Sequence, residues 1–256
     1  MFLFIKKWTS EKHPSLSSCG NKMTRNCKDH FTQLNDKLSS IIMESFSSDL
    51  NTRIVETFQL SEDMCVWRDI LNEITDTSIL VSAIQEFEFG LQAALSGQYR
   101  YAFTAQRYFL EQICRFIYLS TNELHLRHWK LGLRDISWSS LIDNENGIFS
   151  KVFIRAFFPE VEDEGEHMIA ISGKLYRESS EFIHGNSSKI EILPKLISFD
   201  RALLEKWIDF METSRFITQF LMFMRFSKDI DTTSRYKLEN IAKEELGGIE
   251  EFNALF

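Results

Sequence analysis

Helix-breaking residues are scarce in this chain of 256 residues, which contains three prolines and ten glycines. Proline ends helices and glycine destabilises them, so long stretches without either residue favour helices over a β fold rich in turns. No apolar run approaches the roughly 18 residues that a membrane-spanning helix needs. The apolar start, residues 1–5, precedes its lysines, which is the reverse of a signal peptide. We therefore expect a helical protein that acts in the cytoplasm and contacts no membrane.

Cysteine pairs and positive charge are also lacking. The four cysteines form no Cys-x2-Cys pair, and the cluster of Cys19, Cys27 and His30 has loose spacing for structural zinc and no evident fourth ligand. We expect reduced thiols, no metal and no other cofactor. The 29 basic residues are outnumbered by 37 acidic residues, which gives a formal net charge of −8. This balance argues against an extended duplex-DNA surface but allows a small cleft for one RNA strand, or a protein partner.

Apolar and aromatic side chains are abundant, at 44% and 13% of the chain, and their spacing predicts helices along most of it. The strongest patterns cover residues 77–95 and 99–120, on either side of a short break, and predict an antiparallel helical hairpin. Residues 200–226 predict a long helix that is buried on most sides. Residues 52–58 fit a short strand or a turn of helix, and residues 62–74 fit a separate short helix.

These patterns divide the chain into four regions. Residues 1–28, which are rich in polar side chains, predict a flexible N-terminal arm, and residues 29–76 predict an N-terminal helical extension. Residues 77–226 predict the main antiparallel helical bundle. Residues 227–256 predict a C-terminal helical tail that is a candidate for docking on a partner. The fold class that we expect is therefore all-α.

The most informative stretch covers residues 175–185. Arg177 and His184 lie seven residues apart, which places them on one helix face, two turns from each other. Tyr176 and Ser180 form a row with His184 at intervals of four residues. A titratable imidazole, a fixed cation and two hydroxyl groups on one face are suited to phosphodiester chemistry without a metal.

The helix that carries these residues is predicted to run from about Asp163 to His184, because Gly185 favours a helix end. Structural alternatives stay open for both charged side chains. Arg177 stands four residues before Glu181 and can form an intrahelical ion pair with it. His184 can cap the last carbonyl groups of the helix.

Further candidates lie elsewhere in the predicted bundle. Arg107 and Glu111 share a face of the hairpin's second helix, which predicts either an intrahelical ion pair or a brace against the helix of Arg177. Trp129 and Trp138 are predicted as core residues rather than as a surface on which bases stack.

Two segments, residues 94–111 and residues 175–185, together resemble the HEPN superfamily of all-helical proteins. The first is a helical hairpin with an Arg-x3-Glu element, and the second is a helix that ends in Tyr-x3-Ser-x3-His-Gly. Many members are metal-independent ribonucleases of toxin–antitoxin, abortive-infection and other antiviral systems. Their motif is an arginine followed, after four to six residues, by a histidine, and six residues separate Arg177 from His184. Glu178 departs from the Asn, Asp or His that commonly follows the arginine.

The resemblance implies an endoribonuclease toxin or effector that cleaves RNA by attack of a 2′-hydroxyl group on the neighbouring phosphate. His184 would act as general acid or base, and Arg177 would stabilise the developing negative charge. Ser180 would orient the imidazole, and Tyr176 would contact a phosphate or a base. A homodimer that brings two such helices together would complete the site.

The competing prediction is a non-catalytic, HEPN-like module of a defence complex. It would dock on a second defence protein or an antitoxin through its acidic surface or its C-terminal helices. A third prediction is a regulator that binds a nucleotide in the cleft of the hairpin. Both alternatives keep the all-α fold and give Arg177 and His184 a structural or binding role.

Overall fold

The computed structural model describes residues 26–183 and 193–256. Within these ranges the chain forms helices and no β-strand, so the predicted all-α class is confirmed. None of the helices in the same ranges is both long and apolar enough to cross a membrane. The helices are α1 (Cys27–Ser47), α2 (Asn51–Leu71), α3 (Ser78–Leu95), α4 (Tyr99–Leu119), α5 (Glu123–Lys130), α6 (Trp138–Leu141), α7 (Lys151–Phe157), a 3₁₀ helix (Pro159–Glu164), α8 (Gly165–Ile183), α9 (Arg201–Phe226), α10 (Thr232–Lys237), α11 (Glu239–Leu246) and α12 (Glu250–Asn253).

The chain divides into two compact units, residues 1–37 and residues 38–256. The described part of the first unit, residues 26–37, contains the beginning of α1, and its residues are exposed apart from the half-buried Leu34. The second unit contains the hydrophobic core. The predicted region boundaries after positions 28, 76 and 226 remain predictions, and most of the predicted arm, residues 1–25, lies outside the described residues.

The predicted hairpin is present as α3 and α4, which are joined by a turn at Gly97. Gly97 has a φ of +76°, and a Cβ atom at this position would lie 2.6 Å from the carbonyl oxygen of Ser198, so the turn requires glycine. Gly90 of α3 allows a second close approach, because its Cβ would lie 3.2 Å from Ala105 Cβ of α4. The two helices therefore pack closely along the hairpin.

Helix α9 runs through the core, as its apolar pattern predicts. Residues 217–224 are consecutive and all buried, and since they make up more than two turns, the helix has packing neighbours on every side there. Some of its polar groups are paired with neighbouring helices. The indole N–H of Trp207 donates to the carbonyl oxygen of Ala102 in α4 at 3.1 Å, and Gln219 Oε1 accepts from the indole N–H of Trp67 in α2 at 2.9 Å.

Residues 51–71 form one continuous helix, α2. Of the two alternatives for residues 52–58, the turn of helix is therefore confirmed and the strand is wrong, and the prediction of a separate helix over residues 62–74 is wrong as well. No proline or glycine interrupts this stretch. Its apolar pattern is weak because polar Thr57, Ser61 and Asp63 are buried on the same helix. Ser61 Oγ donates to Glu88 Oε1 of α3 at 2.9 Å, which shows how a tertiary contact stabilises a polar residue where the pattern expects an apolar one.

The C-terminal helices pack against α9. Phe252 of α12 is buried, and its ring centroid lies 5.7 Å from that of Phe220 and 6.0 Å from that of Phe223. Leu246 at the end of α11 is buried as well. The apolar side of the predicted tail is therefore part of the core, and its outer side is polar.

Candidate functional site

Helix α8 presents the candidate residues on its outer side. Arg177 is exposed, and Tyr176 and Ser180 are half-buried. The helix begins at Gly165, because the residues from Asp163 onward that were predicted as its start belong to the preceding 3₁₀ helix. The buried side of α8 packs against α4 and α9 and consists of Gly165, Met168, Ser172, Leu175, Ser179 and Phe182.

His184 and Gly185 lie outside the described residues. The prediction that Arg177 and His184 share a face therefore stays a prediction. Helix α8 is described as far as Ile183, so regular helix connects Arg177 to the residue directly before His184.

A buried polar network fixes the rotation of α8. Ser179 Oγ lies 2.6 Å from Gln106 Oε1 of α4 and 2.8 Å from the carbonyl oxygen of Leu175. Gln106 Nε2 donates to Ser214 Oγ of α9 at 2.9 Å, and Ser214 Oγ lies 2.8 Å from the carbonyl oxygen of Phe210. Since buried polar groups are costly when unpaired, a rotation of α8 that broke this network would be unfavourable. Arg177 is thereby kept on the solvent side.

The last described turn of α8 is held by an aromatic contact. Phe182 is buried and stacks on Phe103 of α4, with ring centroids 3.9 Å apart and planes 11° apart. A large aromatic side chain that is buried in this way contributes mainly through the apolar area that it removes from water. The backbone that leads into His184 therefore starts from a fixed position.

Arg107, Glu111 and Tyr176 are brought together between α4 and α8. Arg107 Nε donates to Glu111 Oε1 at 3.1 Å, and Arg107 Nη2 donates to the hydroxyl of Tyr176. The guanidinium carbon also lies 4.2 Å from the centroid of the Tyr176 ring. The two predicted arrangements of Arg107, an intrahelical pair and a brace against α8, therefore occur together. Burial and the neighbouring Glu111 carboxylate raise the pKa of Tyr176, so its phenol stays protonated near neutral pH.

Trp138 joins this group, and the sequence predicted it as a core residue. The indole is half-buried at the start of α6, and its ring centroid lies 4.2 Å from that of Tyr176 with planes 3° apart. One sequence signal distinguishes Trp138 from an ordinary core tryptophan. Its neighbours are serines without helical periodicity, in the order Ser137-Trp138-Ser139-Ser140. Both Trp138 and Arg107 therefore contact the residue that precedes Arg177.

Arg177 and Ser180 differ in how far they are already engaged. Within residues 26–183 and 193–256, Arg177 makes no ion pair, while its neighbour Glu178 lies 3.9 Å from Lys174. Ser180 Oγ donates to the carbonyl oxygen of Tyr176 at 2.6 Å. Its single proton is used in this bond, so Ser180 can orient an imidazole only by accepting a hydrogen bond.

A second cluster, which the sequence did not predict, surrounds Arg215 of α9. Its side chain is 12% exposed, and Nη2 lies 3.2 Å from Asp63 Oδ2 of α2 and 2.8 Å from Glu245 Oε1 of α11. Nη1 donates to the carbonyl oxygen of Glu56 at 3.1 Å. A cavity of about 480 Å³ beside the guanidinium is lined by Glu56, Glu212, Glu244 and Glu245. Burial raises the pKa of Asp63 and of Glu245 although Arg215 lowers both.

Comparisons with protein-family models, curated proteins and solved structures found no match to this chain. In the part of the chain that the structure describes, no group of three or more His, Cys, Asp and Glu side chains is placed to hold a metal ion. The candidate site therefore consists of Arg177 and Ser180 on α8, with Tyr176 held by Arg107, Glu111 and Trp138.

Proposed function

We propose that the chain is an HEPN-like, metal-independent endoribonuclease, a toxin or effector of a bacterial antiviral defence or toxin–antitoxin system that acts in the cytoplasm. The observation that carries this proposal is the orientation of α8. Ser179 and Phe182 are held in the core, so Arg177 points outward from a rigid helix. The all-α fold supports the proposal, and the position of His184 directly after Ile183 completes the motif in the sequence.

The chemistry that follows needs no metal. His184 removes the proton of a ribose 2′-hydroxyl, or returns one to the 5′-oxygen that leaves, and an imidazole is the side chain best suited to either task near neutral pH. The 2′-oxygen attacks the adjacent phosphorus, and Arg177 stabilises the charge on the equatorial oxygens of the phosphorane. The product carries a 2′,3′-cyclic phosphate. A symmetric dimer would supply a second Arg177 and His184 to the same cleft.

The direct test is cleavage of a single-stranded RNA by the purified full chain in the presence of a chelator. We expect Arg177→Ala to lower the cleavage rate about 100-fold or more, since it removes the stabilisation of the transition state. His184→Ala removes the acid–base group, with an expected loss of about 10²–10⁴-fold. Arg127→Ala is the control, because Arg127 is an exposed arginine on α5 that is paired with Glu123. Cleavage by Arg177→Ala at the wild-type rate would exclude the proposed mechanism.

The alternative is a non-catalytic helical module that binds a protein partner or a nucleotide within a defence complex. The observation that favours it is the carboxylate-lined cavity at Arg215, in a chain of net charge −8. Expression in bacteria separates the two functions. A nuclease arrests growth as the wild type and does not arrest it as His184→Ala, whereas arrest of equal strength by both favours the module.

A further inference from the structure

Trp138 is an unusual tryptophan for this protein, because it is only half-buried at the edge of the core and stacks face to face on another ring. The other described tryptophans of the core, Trp67 and Trp207, are fully buried and donate their N–H groups to partners inside the bundle. Trp138 is half-buried, and its plane is within 3° of the plane of Tyr176. One face of the indole is therefore covered by Tyr176, while part of the side chain stays in contact with solvent.

The backing of this indole is rigid. Tyr176 is fixed at its hydroxyl and at its ring by Arg107, and α6 is anchored by Leu141, which is buried. Ser137 caps α6 by accepting a hydrogen bond from the N–H of Ser140. An aromatic surface that is already ordered loses little conformational entropy when a ligand stacks on it.

Helix α8 has a glycine, the half-buried Gly173, next to this stack. Gly173 stands three residues before Tyr176 and four before Arg177, and helical side chains lean toward the N-terminus of their helix. The side chains of Tyr176 and Arg177 therefore lean toward the turn that contains Gly173. A Cβ atom at Gly173 would meet only Ile142 Cδ1, at 3.9 Å. A ligand that stacks near Trp138 thus meets a part of α8 that has room for a further Cβ atom, at the turn toward which the Arg177 side chain leans.

We infer that Trp138 is a stacking surface for an unpaired base of single-stranded RNA, next to the phosphate that Arg177 contacts. This inference rests on the proposed function, since it names the state of the substrate at that site. Bases offer their faces to aromatic side chains only where they are not stacked in a duplex. A bound base would add one more layer to the stack of Arg107, Tyr176 and Trp138. Such stacking tolerates any base, and it adds to the binding that comes from the attraction between charges.

The test measures binding without cleavage. The probe is a fluorescein-labelled 2′-O-methyl oligoribonucleotide, which lacks the attacking hydroxyl group, and binding to the full chain is followed by fluorescence anisotropy. The same oligomer paired with its complement and an abasic oligomer of equal length are the comparison ligands. We expect the single strand with bases to bind most tightly, because only this ligand offers both a free base face and phosphates.

Two substitutions separate stacking from structure. Trp138→Leu keeps an apolar side chain but removes the aromatic face, and we expect it to weaken binding on the order of 10-fold. Trp138→Phe keeps an aromatic face and retains most of the affinity. Trp129→Leu is the matched control, since Trp129 is also half-buried but lies near Arg115. Thermal unfolding of each variant shows whether a loss of affinity reflects a loss of fold.

A third variant tests the space beside the stack without removing a contact. Gly173→Gln adds a side chain where only Ile142 would be in contact with its Cβ atom, and it replaces a residue that disfavours helix with one that favours it. We expect unchanged or higher thermal stability together with weaker binding of the single strand. Unchanged binding by Gly173→Gln would exclude this surface as part of the site.

The outcomes distinguish this inference from the proposed function. Three results would contradict the stacking role of Trp138: equal affinities of Trp138→Leu and Trp138→Phe for the single strand, equal affinities of the wild type for duplex and single strand, or no binding of any oligomer. Each of them holds whether or not the wild type cleaves RNA. If binding depends on the aromatic face but wild type and Arg177→Ala both leave unmodified RNA intact, the proposed cleavage is wrong and the stacking role holds.

Discussion

Arg107 and Arg215 are two of the arginines whose guanidinium groups lie mostly inside this bundle, and their surroundings differ in charge. Arg107 lies beside the carboxylate of Glu111 and the ring and hydroxyl of Tyr176. Arg215 lies between the carboxylates of Asp63 and Glu245, with a cavity lined by further glutamates. One arginine holds an aromatic side chain in place, and the other holds acidic groups that repel each other.

The difference has consequences for what each cluster can do. Around Arg107 the guanidinium pairs with the carboxylate of Glu111 and also contacts the ring and hydroxyl of Tyr176. Around Arg215 the negative charges outnumber the positive one, and burial raises the pKa of Asp63 and Glu245. The Arg107 cluster is therefore suited to position a site, whereas the Arg215 cluster connects α2, α9 and α11 through interactions that depend on pH.

The largest effect is expected from removal of Arg215. Arg215→Met leaves Asp63 and Glu245 without their shared cation, and breaking a buried pair in this way costs about 3–5 kcal/mol of the free energy of unfolding. The measurement is denaturation by urea at pH 7. At pH 5 the cost should be smaller, since the two carboxyl groups can take up protons instead of remaining charged and unpaired. A cost that is small and equal at both pH values would show that the cluster contributes little to stability.

Removal of Arg107 should have a smaller effect on stability. Arg107→Met leaves Glu111, whose side chain is 19% exposed, and the hydroxyl of Tyr176 without this donor, with an expected cost of about 1–3 kcal/mol. Tyr176→Phe, which keeps the ring and removes only the hydroxyl, should cost about 1 kcal/mol. Both are measured by the same denaturation as Arg215→Met. If Arg107→Met proves as costly as Arg215→Met, the difference in charge between the clusters does not determine their stability.

The same contrast explains what the sequence could predict. Helices α3, α4 and α9 follow from the spacing of apolar residues, because each buries a continuous stripe or nearly its whole surface. The pair of Arg107 and Glu111 follows from a separation of four residues. These features are local, so a single sequence contains the information that they need.

The remaining features depend on tertiary contacts. Arg215 and Asp63 are 152 residues apart in the chain, and no local pattern connects them. Trp138 was predicted in the core because tryptophans are mostly buried, and its stack on Tyr176 depends on how α6 lies against α8. The continuous helix α2 was missed because Asp63 is buried there by its contact with Arg215, which interrupts the apolar pattern.

The smallest effect, and the sharpest test of the comparison, concerns the pH dependence of Asp63. Its pKa is raised in the folded chain, mainly by burial, so the folded state keeps this proton at a higher pH than the unfolded state does. The ordinary pKa of an aspartate, which applies in the unfolded chain, is about 4. Ionisation of Asp63 therefore lowers the free energy of unfolding as pH rises above this value. Asp63→Asn removes this contribution while its amide oxygen still accepts from Arg215. We expect the variant to gain stability relative to wild type as pH rises from about 4 to 7.

Asp76→Asn is the control with the opposite sign. A hydrogen bond from Lys130, with others from Ser78, lowers the pKa of Asp76 to about 2. The ionised form of Asp76 therefore stabilises the fold above pH 4, and this contribution is lost as pH falls toward 2. Relative to wild type, Asp76→Asn should lose stability as pH rises through this range. The measurement is the free energy of unfolding of the wild type and both variants, obtained by urea denaturation between pH 3 and 7. As pH rises, Asp63→Asn should gain stability relative to wild type and Asp76→Asn should lose it. If the free energy of unfolding depends on pH in the same way for Asp63→Asn and wild type, Arg215 compensates the burial of Asp63. The two arginine clusters would then differ in geometry alone.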